Sequence, residues 1–519
     1  MANSSLPKKP QLDPALGYQQ FEAILSRAER KISTTAPPLA GYPPEYVGRR
    51  LVQRIVELAL YPCVQAAAAN YVRGLEPIIS TTYPLEIGGL RFHNDEVAVT
   101  RTTWLRNVAD FCAQWLRVLA YLAGLNRNAI SAKRATLLSG VGLGDITVDG
   151  SDARFAGFCA HGSLSPIHNA SHLIVECAQS LKSTNPGWIS YARQPMLALF
   201  RAHPPRGRDL LCFLSRHIAT ALSFFRYCLS HPLASLLGRD MAYHAVASDL
   251  NRRGALENIA ITNAHFHVQP LWMHSLPERQ FKAHMLWCSQ NTKPFVFKSE
   301  RVLSHLPNYR HMMVDEHWVW TAGYAKYLTK LGIKAKINIV GPILWHLPEA
   351  TSTTAHTPSV TIFDVTPITE TFSHQIGLPR NYYSPRNMID FLEKVTLACE
   401  RVAVRIKQPV LVFLKHKRHH AGVHDPRYIA FVDSLVSSGR IQLLSPQTNL
   451  YSLIAKSSAV VVAPFSSPAY VANRLEVPAI YFDATDSIEP THDPAPFVSF
   501  TSDTNELVEK LYHALQGPL

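Results

Sequence analysis

The chain has 519 residues, 47% hydrophobic and 17% charged, with a formal net charge of +13 when its 24 histidines are neutral. That length exceeds one core and that balance excludes a disordered or fibrous chain, so two globular domains with extensions are expected. The positive excess suits anionic partners (nucleotide phosphates, acidic sugars, an anionic membrane or nucleic acid) and serves solubility as well.

The start, MANSSLPKKPQLDPALGY, lacks the apolar core of a secretory signal. No uncharged apolar stretch reaches the ~18 residues a spanning helix needs. The nearest, Leu210 to Leu229, contains Arg216, His217 and Arg226 and reads as an amphipathic helix. Its basic stretch from Arg208 to Arg226 either lies on an anionic bilayer or is buried within the N-terminal region. The eight cysteines form no CxxC pair and sit mostly in apolar runs, as reduced thiols do. A cytoplasmic protein is expected, with peripheral contact at the inner membrane left open.

In chain order, residues 1–45 are rich in Pro, Ser and Lys and read as a flexible arm. Residues 46–135 and 171–250 show helical periodicity, and ATLLSGVGLGDITVDG between them predicts strand, glycine turn and strand. From about 257, short β-rich runs (NIAITNAHFHV, PFVFKSE, HMMVDE, KINIVGP) alternate with helical stretches, the mark of a parallel α/β sheet. The Thr-rich, Pro-bounded segment 348–358 separates a first domain, 46–347, from a second, 359–519. The second alternates regularly, from the strand VTIFDVTPI to the closing helix NELVEKLYHAL, and predicts a doubly wound sheet with its ligand at the strand C-termini.

Five stretches could carry chemistry. In AVVVAPFSSPAYVANRLE a buried strand delivers Ser466 and Ser467 to a helix opened by Pro468: an anion site or a simple N-cap. In LVFLKHKRHH, Lys415, His416, Lys417 and Arg418 leave another buried strand at the same edge, as phosphate ligands or as a solvated face. A zinc site from His416, His419, His420 and His424 lacks a cysteine or carboxylate partner, so no metal is expected. Asp364, Thr366 and Thr369 lie at the first strand exit of the second domain, in a nucleotide-lining loop or an ordinary turn. In MMVDEHW a strand is expected to end at Asp315 and Glu316, which either cap a helix or face the cleft as general base. Asn263, His265, His267 and Asn291 cluster at another strand edge, as structural groups or substrate ligands.

The order of these segments resembles the GT-B glycosyltransferases. More closely, residues 255–485 resemble the bacterial polysaccharide-biosynthesis proteins named for a PFTS motif, through ITNAHFHVQPLW, FDVTPI, NYYSPRNMIDFL, LKHKR and PFSSPAYVANRLEVPAIYFD. Here the motif reads Pro464-Phe465-Ser466-Ser467, which keeps the hydroxyl. The paired serines are also similar to the loop holding the phosphate of a CMP-sugar in sialyl and Kdo transferases, whose His-Pro pair is here Lys415-His416-Lys417. The resemblance implies two Rossmann-like domains facing a cleft, with a helical N-terminal extension. It implies transfer of a sugar from a nucleotide-sugar, such as CMP-Kdo or a CMP-nonulosonate, to a glycan or lipid-linked acceptor of capsule or lipopolysaccharide. In that reading Lys415, Lys417, Arg418, Ser466, Ser467 and Thr366 hold the donor phosphate, and Asn263 and Asn291 contact substrate. Glu316, then Asp315 and His265, are the catalytic candidates, with no metal or cofactor required. An epimerase or hydrolase on the same fold is the alternative, as is a non-catalytic binder of anionic glycan or nucleic acid. No nucleic-acid module is recognisable.

Overall fold

The computed structural model describes residues 27–32, 34–36, 38–72, 85–93, 96–123, 134–142, 146, 153–161, 164–177, 187–263, 269–288, 298, 311–343, 357–367, 382–416, 424–445, 448–490 and 495–516. A small antiparallel meander comes first: β1 (Leu85–Ile87), β2 (Leu90–His93) and β3 (Glu96–Val99). A seven-stranded sheet follows. Its strands are β4 (Ala135–Ser139), β5 (Leu173–Glu176), β6 (Ile189–Ala192), β7 (Leu256–Thr262), β8 (Lys282–Leu286), β9 (Glu316–Val319) and β10 (Lys336–Ile339). Their order is β10-β9-β8-β7-β4-β5-β6, and every pair is parallel.

The third sheet has six parallel strands: β11 (Ser359–Phe363), β12 (Leu411–Lys415), β13 (Gln442–Leu443), β14 (Ala459–Val462), β15 (Ala479–Phe482) and β16 (Val498–Thr501). They run in the order β13-β12-β11-β14-β15-β16. Both parallel sheets therefore start in the middle, wind to one side and return to wind to the other, the Rossmann order. Each is covered by helices, so its central strands must be apolar on both faces, and Ala459–Val462 and Ala479–Phe482 are buried throughout.

The helices of the second domain start where the sequence supplies caps. Ser384, Asp425 and Asp503 each accept a first-turn N–H, the first two ahead of a proline at the next position. The closing helix Thr504–Leu515 lies along Pro385–Ile406, where Arg405 pairs with Glu509 at 2.6 Å and stacks on Tyr512.

Several expectations need correction. The stretch read as a loose arm is packed in its second half: residues 27–32 are helical, and Ala28, Ile32, Leu39 and Tyr42 are buried. The Tyr42 hydroxyl meets His244 Nδ1 at 2.6 Å. Residues 85–93 and 96–99 form the meander, not helix, and β5 and β6 lie where helix was expected. A buried run such as Leu173–Glu176 has no alternation, so periodicity does not separate it from a helical segment. The α/β rhythm thus begins at β4 rather than near 257. Glu316 opens β9 instead of closing a strand, and the following helix spans only Ala322–Lys330, capped by Thr321. Ile146, read as strand, is helical, and PFVFKSE apart from Lys298, together with residues 344–356, lies outside the described residues.

One face of the seven-stranded sheet packs on the meander and on helices Arg101–Ala123, Arg208–Ser230 and His244–Arg252, around Phe111, Phe224, Met241 and Trp287. Within that core Arg50 and Asp240 form a buried pair at 2.8 Å, and Asp240 also accepts the N–H of Leu271. The other face joins an apolar cluster that runs through Val175 and Trp318 into Val360 and Val462 of the six-stranded sheet. No described helix is long and apolar enough to cross a membrane.

Candidate functional site

In the six-stranded sheet the winding reverses between β11 and β14, which are hydrogen-bonded neighbours. A crevice beyond the C-terminal ends of strands at such a reversal is where doubly wound folds bind ligands. Loops from β11, β12 and β14 border it, and Phe363 is level with both Lys415 and Val462.

Asp364 leaves β11 into the interior. Its Oδ2 meets His416 Nδ1 at 2.7 Å and accepts from the Tyr428 hydroxyl at 2.5 Å, while Thr366 Oγ1 donates to Oδ1 at 3.2 Å. All three partners are buried. His416 is therefore turned inward rather than lying on a solvated basic face. With Nδ1–H given to Asp364, its Nε2 is the atom left for other chemistry. Lys415 is half-buried beside them. Burial pushes its ammonium below the ordinary lysine value, and the Asp364 charge opposes that shift. A cation in this state gains by taking an anion.

The Pro464–Ser467 loop is clamped by hydroxyls. Tyr383 donates to the Pro464 carbonyl at 2.7 Å, Tyr481 to the Ser466 carbonyl at 2.9 Å, and Ser466 Oγ to the Ala463 carbonyl at 3.0 Å. Phe465 holds a left-handed backbone, φ 60°, with its ring buried between Tyr481 and Phe500. That is strained for an aromatic residue and persists only because the surroundings fix it. Ser466 spends its proton inside the loop, so it shapes the turn. Ser467 is the N-cap residue of Pro468–Arg474, yet its side chain makes no cap bond.

The next exit carries Asp483, which sequence reasoning did not single out. It accepts from Tyr382 at 2.6 Å, Thr485, and the N–H groups of Ser487 and Ile488 at 2.8 Å. Its signal was available: a buried strand ending Phe-Asp occurs twice, at Phe363-Asp364 and Phe482-Asp483.

Across from these loops lie the strand exits of the first domain. Trp320, just beyond β9, meets the Tyr470 ring edge-on at 6.1 Å, and Lys298 pairs with Asp486 at 2.5 Å. The C-terminal edges of the two sheets therefore approach one another. Asn263 is on the same edge, where its Oδ1 accepts from the Cys288 N–H at 3.0 Å and ties the exits of β7 and β8.

The two carboxylates expected as bases are elsewhere. Asp315 and Glu316 precede and open β9, at the N-terminal edge of the sheet. Asp315 is gripped by Arg279 through both oxygens, at 2.7 and 2.5 Å. Glu316 accepts from Lys282 at 2.9 Å and Asn338 at 3.0 Å. Burial raises the Glu316 carboxyl, but those two hydrogen bonds and the nearby Lys282 charge leave it below the usual range. His265, Asn291, Lys417 and Arg418 lie outside the described residues.

Two Rossmann sheets with opposed C-terminal edges define the GT-B type of architecture. Residues 218–511, more than half of the chain, match the family model described as Polysaccharide biosynthesis PFTS motif protein, and the chain belongs to that family. No curated protein matches it. Among solved structures, a Staphylococcus aureus TarM mutant in complex with fondaparinux, alpha-GlcNAc-glycerol and UDP is similar at 8% identity and a TM-score of 0.33. The match covers 53% of this chain and 52% of that one. The chain thus spans about half the length of TarM. The alpha,alpha-trehalose-phosphate synthase of Burkholderia vietnamiensis is similar at 13% identity and a TM-score of 0.38, over 75% and 92% of the two chains. The wall teichoic acid polymerase TagF (H548A) is similar at 9% identity and a TM-score of 0.35, over 79% and 89%.

Proposed function

We propose that the chain is a GT-B glycosyltransferase that moves a sugar from a nucleotide-sugar to a surface glycan or its lipid-linked precursor. The observation that carries this reading is the convergence of Lys415, the Asp364–His416 pair and the Ser467 loop on the β11–β14 crevice. Breaking the bond between sugar and phosphate needs the departing phosphate stabilised by cations and fixed dipoles. Lys415 supplies charge, Ser467 a hydroxyl at a helix start, and Lys417 and Arg418 follow in the same basic run. Thr366 and Ser466 contribute by fixing loops, since each hydroxyl donates within the protein.

On the acceptor side, Asn263 sits at the facing edge, and His265 follows it by two residues. His265 is our choice for the base; the settings of Asp315 and Glu316 fit ion pairing. CMP-Kdo and CMP-nonulosonates are the donors to try first, and capsule or lipopolysaccharide the polymer.

Calorimetric titration with CMP, UMP and GMP tests the site. Lys415→Ala and Ser467→Ala should each stay folded and lose roughly tenfold to a hundredfold in affinity, for a lost charged hydrogen bond of about 1.5–3 kcal/mol. Unchanged affinity in both would move the donor site away from this edge. Donor turnover that needs no acceptor would favour a hydrolase or epimerase.

A further inference from the structure

Helices Arg101–Ala123 and Arg208–Ser230 lie antiparallel, side by side. Trp104 reaches the Cys228 carbonyl at 3.3 Å, Phe111 packs on Phe224 at 4.1 Å, and Trp115 stacks on His217 at 4.6 Å. Their inner faces are core. Their outer faces are not polar, as an amphipathic surface helix would require.

On the second helix the outward positions are Leu211, Ser215, Ile218, Leu222, Phe225 and Leu229. They alternate steps of four and three and fall within an arc of about 80° on an ideal helix. The five apolar ones are exposed by between 38% (Phe225) and 77% (Leu229). On the neighbouring helix Leu105 and Leu116 are also exposed, within about 20° of each other and about 100° round from Trp104 and Trp115, which face the second helix. Seven large apolar side chains thus share one side of the molecule, more than scattered surface residues account for.

The exposed charges of the two helices have one sign. The exposed charged residues of the two helices are Arg101, Arg106, Arg117, Arg208 and Arg226. Their only carboxylates, Asp110 and Asp209, are partly buried and paired with Arg239 and Arg252.

We infer that this two-helix face docks on an anionic lipid bilayer, with the leucine stripe in the acyl boundary and the arginines at headgroup phosphates. The four-three spacing would equally suit a helical seam with a second copy. A second copy, however, would bring arginines against arginines with no acid between them. An anionic bilayer satisfies both the stripe and its charged flanks. The inference does not rest on the donor-site reading; it adds the surface from which a lipid-linked acceptor would be reached.

The test is co-sedimentation of the full chain with vesicles of phosphatidylglycerol and phosphatidylcholine, against phosphatidylcholine alone, at low and high salt. Binding should require the anionic lipid and weaken with salt. Leu222→Glu with Leu229→Glu, and separately Arg106→Ser with Arg226→Ser, should each weaken partition by roughly tenfold or more. All four positions are exposed, so melting and nucleotide affinity should stay at wild-type values; if the leucine variant misfolds, the arginine variant decides. Wild-type protein left in the supernatant at low salt overturns the inference, as does partition unaffected by the arginine variant. A dimer in light scattering that the leucine variant dissolves, without vesicle binding, would assign the face to a second copy instead.

Discussion

His416 and Asp364, 52 positions apart, meet at 2.7 Å and lock together the exits of β12 and β11. The same carboxylate takes Tyr428 from the helix Pro426–Ser437, so one buried charge organises three elements of the crevice. Asp364→Asn should therefore cost about 1–3 kcal/mol in urea unfolding, the range for a disturbed buried hydrogen-bond network. It should also weaken nucleotide binding, because the loops that carry Thr366 and His416 lose the carboxylate that ties them together. Unfolding and calorimetric curves of the one variant check both effects.

Phe465 gives a test of strain. Truncating a buried phenylalanine costs about 3–5 kcal/mol. At φ 60° an alanine keeps the left-handed penalty whereas glycine has none. Phe465→Gly should be more stable than Phe465→Ala by about 1 kcal/mol, the reverse of the usual ranking, as read in paired thermal melts.

Arg50→Ala should cost about 3–5 kcal/mol, since it strands Asp240 as an uncompensated buried charge. Replacing both partners with apolar residues of similar size should recover much of that loss. Denaturant midpoints of the single and double variants give the comparison.

Acid should destabilise the first domain through its histidines. Burial lowers His274 to about 3 and His244, His284 and His317 to about 4, from an ordinary 6.5. Between those values the unfolded chain binds more protons than the folded one, so stability falls as pH drops from about 6.5 toward 4. His284 and His317 each accept an indole N–H on Nδ1, from Trp318 and Trp287 at 3.2 Å, a role that needs this nitrogen unprotonated. His244→Gln should flatten the slope by about one proton, measured as unfolding free energy against pH.

Much of the second domain is legible in the sequence because each strand is a short apolar run followed by a turn and a capped helix. β11, β12, β14 and β15 can be placed from VTIF, LVFLK, AVVV and AIYF, and the convergence of Lys415 with the serine loop follows from parallel order alone. The inward turn of His416 is not legible, since its partners Asp364 and Tyr428 are distant in sequence. Nor is the division of labour between the serines: a loop strained at Phe465 directs Ser466 back to Ala463 and leaves Ser467 at the helix start. The first domain is harder to read. LIVE and ISYA are too short for periodicity to separate strand from helix, and reading Glu316 as a strand end rather than a start places two carboxylates on the wrong side of a sheet.

Any motion that parts the two sheets must pull Trp320 away from Tyr470 and carry its indole from an apolar seam toward water. The emission of that indole should then shift to the red, so the protein contains its own fluorescent gauge of opening and closing. A Trp320→Phe variant identifies the signal among the eight tryptophans. Titration with CMP, UMP or GMP then tests, without a label, whether a nucleotide moves this seam.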